Sequence, residues 1–398
     1  MKILLAHNYY AQRGGEDVCA DDDIGLLRMH GHDVRVYSRD NREIGRTPGV
    51  GKFGAGMDAL WSRRTVRELS DIFSSNRPDL VHVHNFFPLI SPAIFHVCRR
   101  FDVPVIHTLH NFRMMCANGL FYRDGKICEK CARTSAAWAT WHRCYRDSAL
   151  QSVAVSSMIG LHDRMQTWKR KVDLFIALSE SARALFVSCG IPDRKIVVNP
   201  NYLSVDPAQT DAPRSGAVFV GRLSPEKGVE MLLEAWCALT DIPLTIVGEG
   251  PCRSELEAMV KSRGLTRVRF LGYCAHAEVL KEIGNACILV MPSQWYETFG
   301  RTMMEAFAMG TPVVASRIGA MSDLVEHDVT GLLFDHASKD SLVSAVRTLI
   351  ASPDRLDHMG RAARQRYEAR YTQQAAYDRY MGIYSSVLNR NVATRSAE

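Results

Sequence analysis

Short apolar runs alternate with longer amphipathic stretches along this chain. Lys2 to Ala6 reads as a buried strand, and the pattern from about Glu16 to Met29 as a helix. The Gly-rich stretch Gly45 to Gly56 predicts a mobile loop before a helix over about 58–73. Strands follow at Leu80 to His84, Pro104 to Leu109, Asp173 to Leu178 and Ile196 to Val198, with Ser179 placed to cap the helix after the third of these. From Asn199 to Gly216 polar residues and prolines break the pattern, which makes this the best domain boundary. The alternation then resumes, with strands at Ala217 to Val220, Leu244 to Val247, Val268 to Leu271, Ile288 to Met291 and Val313 to Ala315. Helices are expected near 229–239 and 300–309, the second ended by Gly310. Tyr377, Tyr380 and Tyr384 recur at helical spacing, a stripe that usually packs on a core. This predicts an α/β protein of two Rossmann-like domains, 1–200 and 201–372, with a terminal helix and tail over 373–398.

At 398 residues the chain can build two cores, and 46% hydrophobic with 23% charged residues is ordinary for a globular protein. No apolar run approaches the roughly 20 residues of a membrane span, and the start turns polar too soon for a signal peptide, so a cytoplasmic location is expected. Residues 1–200 carry 28 Lys+Arg against 20 Asp+Glu, a net of +8, and residues 201–398 carry 21 against 23, a net of −2. The basic half could face an anionic partner, although a solvated surface is the default reading. Between Trp138 and Lys171, tryptophans interleave with cations, which suits either a membrane interface or core tryptophans between solvated cations. No motif for nucleic acid accompanies the charge.

Chemistry concentrates in residues 292–316. Glu297 lies in the loop after one strand and Glu305 on the following helix, with seven residues between them. The helix start near Gly300 offers free N–H groups and a positive dipole end to a phosphate. A bare pair of acids at this spacing is usually a pair of surface residues. The surrounding text, Glu297-Thr-Phe299-Gly300-Arg301 through Glu305 to Gly310-Thr-Pro-Val-Val314, resembles the donor-site signature of retaining family 4 glycosyltransferases with the GT-B fold. The resemblance implies two domains facing across a cleft and a C-terminal helix crossing back to the first domain. It also implies that Glu297 contacts the donor sugar and Glu305 the ribose, with Phe299, Gly300 and Arg301 around the phosphate seat.

Other stretches match the same family. Gly221-Arg222-Leu-Ser-Pro-Glu-Lys227-Gly228 is similar to its diphosphate-binding pair, which assigns Arg222 and Lys227. Two strand-end turns, carrying Glu249 and Tyr273, correspond to loops that border the nucleobase. The loop Gly14-Gly15-Glu16-Asp17 is similar to a Gly-Gly loop facing the donor; alone, two glycines would be explained equally well by a tight turn. Residues 103–111 resemble the segment whose His lies beside the donor anomeric carbon, here His110. His82, His84 and Asn85 are expected on the acceptor side, since strand ends gather where α/β sheets bind ligands.

Two metal patterns are considered. Asp21-Asp22-Asp23 falls within a helical pattern and reads as a solvated face. Cys116, Cys128, Cys131 and Cys144, spaced C-x11-C-x2-C-x12-C, suit either a structural zinc or a reduced, partly buried cluster. No cofactor is expected for catalysis. The function implied is transfer of a sugar from a nucleotide-sugar donor to a hydroxyl of a glycan or lipid-linked acceptor, with retention, in polysaccharide or lipopolysaccharide assembly at the inner membrane surface. The alternatives are a nucleotide-sugar epimerase, separable by product analysis without acceptor, and a non-catalytic nucleotide-binding protein, against which intact Arg222, Lys227, Glu297 and Glu305 speak. The absent GxGxxG argues against an NAD-dependent oxidoreductase.

Overall fold

Strand β1 (Lys2–Tyr9) pairs in parallel with β2 (Asp33–Asp40) and β3 (Leu80–Asn85), with Leu4 opposite Arg35 and Val81. Outward from β3 lie β4 (Val105–Leu109), then β7 (Leu174–Ala177) and β8 (Ile196–Val198), giving the order β2-β1-β3-β4-β7-β8. Between β4 and β7 comes a short antiparallel hairpin, β5 (Tyr122–Arg123) with β6 (Lys126–Ile127). The middle strands are buried on both faces, as parallel strands between helices must be; Leu4, Val83, Ile106 and Phe175 are all inaccessible.

The structure, a computed structural model, describes residues 1–45, 52–209 and 212–395. The described residues form two units. The first comprises those of 1–121 and 128–200 with the segment from Ala376 onward; the second comprises the hairpin 122–127 and those of 201–375.

The second unit repeats the architecture. Its strands are β9 (Ala217–Val220), β10 (Leu244–Val247), β11 (Val268–Gly272), β12 (Ile288–Met291), β13 (Val313–Ser316) and β14 (Gly331–Phe334), in the order β11-β10-β9-β12-β13-β14. Phe219, Trp236, Ile246, Val290 and Phe334 share its core, and the Trp236 indole N–H donates to Ile242 O at 2.9 Å.

Three differences from the sequence reading have physical reasons. Strand β2 was hidden because Arg35, Arg39 and two aspartates interrupt its apolar positions; Arg39 is nevertheless buried, with its Nε 3.0 Å from Glu43 Oε2. The helix expected over 58–73 is two helices, Lys52–Leu60 and Arg63–Ser75, because Ser62 caps the second by accepting from Thr65 N–H at 3.3 Å. The helix thus begins inside the stretch expected to be a loop; residues 46–51 of that stretch lie outside the described residues.

The third difference is Asp23, which is buried rather than solvated. It accepts from Tyr380 O–H at 2.6 Å. Tyr380 belongs to the terminal helix Gln373–Arg395, whose tyrosine stripe packs on the first unit. Tyr384 O–H lies 2.8 Å from His82 Nδ1, and the Tyr377 ring stacks on His30 at 3.6 Å.

Candidate active site

In the second unit, two of the sequence-predicted residues, Lys227 and Glu297, meet where the loops after β9 and β12 touch, at the strand ends where open α/β sheets bind ligands. Chain leaving β9 carries Arg222, turns through Pro225–Lys227, and enters the helix Val229–Trp236 at Gly228. Gly228 has φ +70, and a Cβ there would lie 2.0 Å from Pro292 O, so only glycine lets these two loops touch. That contact brings Lys227 to Glu297 as an ion pair. Ser293 O–H also donates to Glu297 Oε1 at 3.1 Å, and the Lys227 ammonium sits 5.5 Å over the Trp295 ring. The Glu297 side chain is only 7% exposed. Arg222 is 64% exposed, with Glu226 as a loose partner at 3.9 Å.

Gly300, at φ +86, caps the helix Arg301–Ala308. Glu305 on that helix is buried and lies 3.0 Å from His276 Nε2 and 3.5 Å from Arg301 Nε. Sequence reasoning singled out neither His276, which lies outside any matched motif, nor Ser293, which lies within residues 292–316 but before the signature that starts at Glu297. Glu249 pairs with Arg253, and Tyr273 is 84% exposed. The Phe299 side chain packs in the core, 2% exposed with its ring 6.0 Å from Tyr371.

The first unit holds a buried histidine network at the ends of β1, β3 and β4. His110, half-buried just after β4, has Nε2 3.0 Å from His84 Nδ1, and the rings stack at 5.2 Å. His84 Nε2 lies 3.3 Å from Asp23 Oδ2, an ion-pair distance without hydrogen-bond alignment. The arrangement that suits all three has His110 Nε2–H donating to His84 Nδ1, leaving His84 Nε2–H to face the carboxylate. Burial holds the pKa of both rings well below the ordinary histidine value. His7 Nε2 lies 2.7 Å from Asp17 Oδ1, and Asp17 Oδ2 accepts from Gly14 N–H at 2.9 Å, fixing the Gly-Gly loop. Nothing lies within 4 Å of where a Cβ on Gly14 or Gly15 would stand.

His82 is corrected as an acceptor-side group, whereas Asn85 borders the same narrow pocket as His84. His82 is fully buried, with its two ring nitrogens engaged by Tyr384 and by Thr108 Oγ1 at 2.7 Å. The Asn85 amide donates to Asn8 O at 2.8 Å and accepts from Phe87 N–H at 2.9 Å, so it holds backbone. His84 is buried as well, but it borders a narrow pocket with Glu16, His110, Asn111 and Arg113. Glu16, Asn111 and Arg113 were not singled out from sequence, although they sit beside the Gly-Gly and the His that were.

The four cysteines are neighbours. Burial, then Cys116, Cys144 and Cys128, push the Cys131 thiol up to about 12. Four thiols suit zinc chemically. Their sulfurs do not form its shell in this structure: among the described residues the one grouping of three or more ligand atoms within 4.8 Å is Asp23, His82 and His84. The tryptophans divide. Trp168 is buried, whereas Trp138 and Trp141 are 41% and 80% exposed on the helix Trp138–Trp141. Among the described residues, no helix is long and apolar enough to cross a membrane.

Comparison with known proteins follows the two units. The family model for Glycosyltransferase Family 4 matches residues 18–206, and that for Glycosyl transferases group 1 matches residues 209–366. Alpha-D-kanosaminyltransferase of Streptomyces kanamyceticus is 33% identical over 85% of this chain and 84% of its own length. A GDP-mannose-dependent alpha-mannosyltransferase of Mycolicibacterium smegmatis is 30% identical over 92% of both. Among solved structures, Anabaena HepE with UDP and glucose aligns over 97% of this chain and all of its own, with a TM-score of 0.69 and 20% identity. Sucrose-phosphate synthase from Thermosynechococcus elongatus aligns over 98% of this chain and 99% of its own, at 0.70 and 18%. These likenesses show the GT-B fold.

Proposed function

Because the chain belongs to the group 1, family 4 glycosyltransferases, we propose that it moves a sugar from a nucleoside-diphosphate sugar to a hydroxyl acceptor with retention of anomeric configuration. The observation that carries this reading is the ion pair of Lys227 with Glu297 that joins the loops after β9 and β12, with Arg222 exposed on the first of these loops and the helix start at Gly300 following the second. Two cations and the positive end of a helix suit a diphosphate and the charge it gains on leaving. Arg222 is exposed and loosely held, so an arriving phosphate need not break a strong ion pair to engage it. Glu297 is positioned to hold sugar hydroxyls, and Glu305 the ribose, with Glu249 and Tyr273 bordering the base and the Gly14-Gly15 loop open to close approach.

His110 is the group assigned to the anomeric centre. Burial keeps its imidazole neutral at pH 7, and a neutral ring does not repel the positive charge that develops as the diphosphate departs. In this mechanism the acceptor attacks from the face the diphosphate is leaving, and the leaving phosphate oxygen takes the acceptor's proton.

A lipid-linked acceptor is supported by the first unit. An apolar cavity of about 460 Å³ lies between the helices Lys52–Leu60 and Ala149–Arg164, lined by Met57, Leu60, Phe87, Leu150 and Val153. Met57, Leu150 and Val153 are exposed there, and Arg146 is at its edge. An apolar groove with a cation beside it suits a lipid chain carrying an anionic head, met at the cytoplasmic membrane surface. Glycan assembly for the cell surface is the setting this reading gives. A structural zinc on the four cysteines is a separate proposal, resting on their Cys-x2-Cys spacing and shared neighbourhood.

The test is product analysis by proton NMR. Transfer with the anomeric coupling of the donor preserved supports the reading; an inverted product contradicts retention, and an epimerised nucleotide sugar without acceptor contradicts transfer.

A further inference from the structure

We propose that Glu16 forms a subsite for a hydroxyl group of the acceptor, in the narrow pocket it shares with His84, His110, Asn111 and Arg113. This rests on the reading of the chain as a transferase to a hydroxyl. Glu16 is the second residue of the helix Gly15–Met29, and its carboxylate turns inward at the ends of β1, β3 and β4. One oxygen, Oε2, accepts from Tyr10 O–H at 2.9 Å and from Asn111 Nδ2–H at 3.1 Å. The other, Oε1, is enclosed and accepts nothing. Leaving a buried carboxylate oxygen without a donor is costly, so two donors fixed on one oxygen and none on the other leave a place for a ligand donor.

The surroundings decide what kind of donor it is. Arg113, the guanidinium that lines this pocket, is engaged by other groups: Nη1 donates to Ala117 O, and the group lies 4.9 Å over Phe87 and 5.1 Å over Tyr145. His84 and His110 are held neutral by burial, so neither supplies a cation to this wall. His7 and Asp17 lie close enough to act on the carboxyl with opposite sign. A phosphate would be repelled by Glu16, and the pocket has room for about one water. A neutral hydroxyl satisfies both limits. Burial pushes the Glu16 carboxyl up to about 7, so the group is a carboxylate over the upper part of the physiological range.

The test compares wild type with Glu16→Gln. Gln can turn its carbonyl to Tyr10 and Asn111, which keeps the scaffold and places an N–H donor where the pocket now has an acceptor. UDP, GDP and ADP binding is measured by calorimetry. Release of diphosphate from UDP-glucose and from GDP-mannose is measured with water as the smallest hydroxyl probe. The expected result is diphosphate affinity and donor KM within twofold of wild type, with release at saturating donor down at least tenfold. Tyr10→Phe, which removes one donor to Oε2, is expected to lose three- to fivefold in the same direction, and serves if the Gln variant does not fold. Release at the wild-type rate in Glu16→Gln, with diphosphate binding intact, overturns the subsite alone. Folded wild-type protein that binds no diphosphate, or releases none from either donor, overturns the transferase reading and the subsite with it.

Discussion

Lys227 and Glu297, 70 positions apart in sequence, form an ion pair in the second unit, and the same ammonium rests 5.5 Å from the centre of the Trp295 ring. With the Glu297 side chain 7% exposed and the Lys227 side chain 22% exposed, the pair is largely removed from water. Removing one member leaves a desolvated charge, which costs more than the intact pair contributes. Lys227→Ala is expected to lose about 3 kcal/mol in urea unfolding. The double variant Lys227→Ala with Glu297→Gln should recover at least about 1 kcal/mol of that. Additive losses would mean the two side chains do not depend on each other.

Two glycine loops should respond in opposite ways. Gly228→Ala places a Cβ 2.0 Å from Pro292 O at φ +70, so it is expected to lower Tm by several degrees or abolish folding. Gly15→Ala meets no atom within 4 Å, so the fold should be unchanged while donor affinity falls at least fivefold. Thermal unfolding and calorimetry read the two effects separately. Unchanged donor affinity in Gly15→Ala would remove this loop from the donor site.

The histidine network fixes an acid limit. Burial depresses His82 to about 3 and His107, which is buried on β4 with Nδ1 2.9 Å from Val83 O, to about 4. Their folded pKa lies below the unfolded value of about 6.5, so the unfolded chain takes up protons first as pH falls. Stability from these groups is whole above about pH 6.5 and is lost as pH drops toward 4, at about 2 kcal/mol per histidine by pH 5. Tm should therefore fall steeply between pH 6.5 and 5. A flat profile would contradict the buried, neutral state of the rings.

Glu16 works in the other direction. Its folded pKa of about 7 lies above the ordinary 4.5, so the fold holds this proton more tightly than the unfolded chain does. The contribution is whole below about pH 4.5 and is lost as pH rises through 7, reaching at most about 3 kcal/mol. Glu16→Gln should remove that slope and be more stable relative to wild type at pH 8 than at pH 4.5. Parallel stability curves would place the carboxyl in water.

Most of the framework is legible because parallel strands buried on both faces write themselves as apolar runs, as Leu80–Val83 and Ile288–Met291 do. Strand β2 does not, since Arg39 is buried through its ion pair with Glu43, and the sequence gives no sign of that partner. The same limit applies to the site. Arg222, Lys227, Glu297 and Glu305 stand in a long local motif and are readable, whereas His276 reaches Glu305 from another element. Asp23 reads as a solvated acid because its tyrosine partner lies 357 residues away. His82 was misassigned for a related reason: a strand end predicts nearness to a ligand crevice, but not whether the side chain is already engaged.

The cysteine proposal has a direct check. Elemental analysis of protein purified without chelator should give about one zinc per chain, lost in Cys128→Ser with Cys131→Ser. Metal-free, folded protein would leave the four thiols as a reduced, partly buried cluster.

The central claim is that the ends of β9 and β12 hold a nucleoside diphosphate. Calorimetric titration of UDP, GDP and ADP, with NAD as control, into wild type and Arg222→Ala tests it most directly. Tight binding of one diphosphate, weakened at least tenfold by Arg222→Ala while the fold is unchanged, is the predicted result. Equal binding of that diphosphate by the two proteins, or no binding by folded wild type, would contradict it.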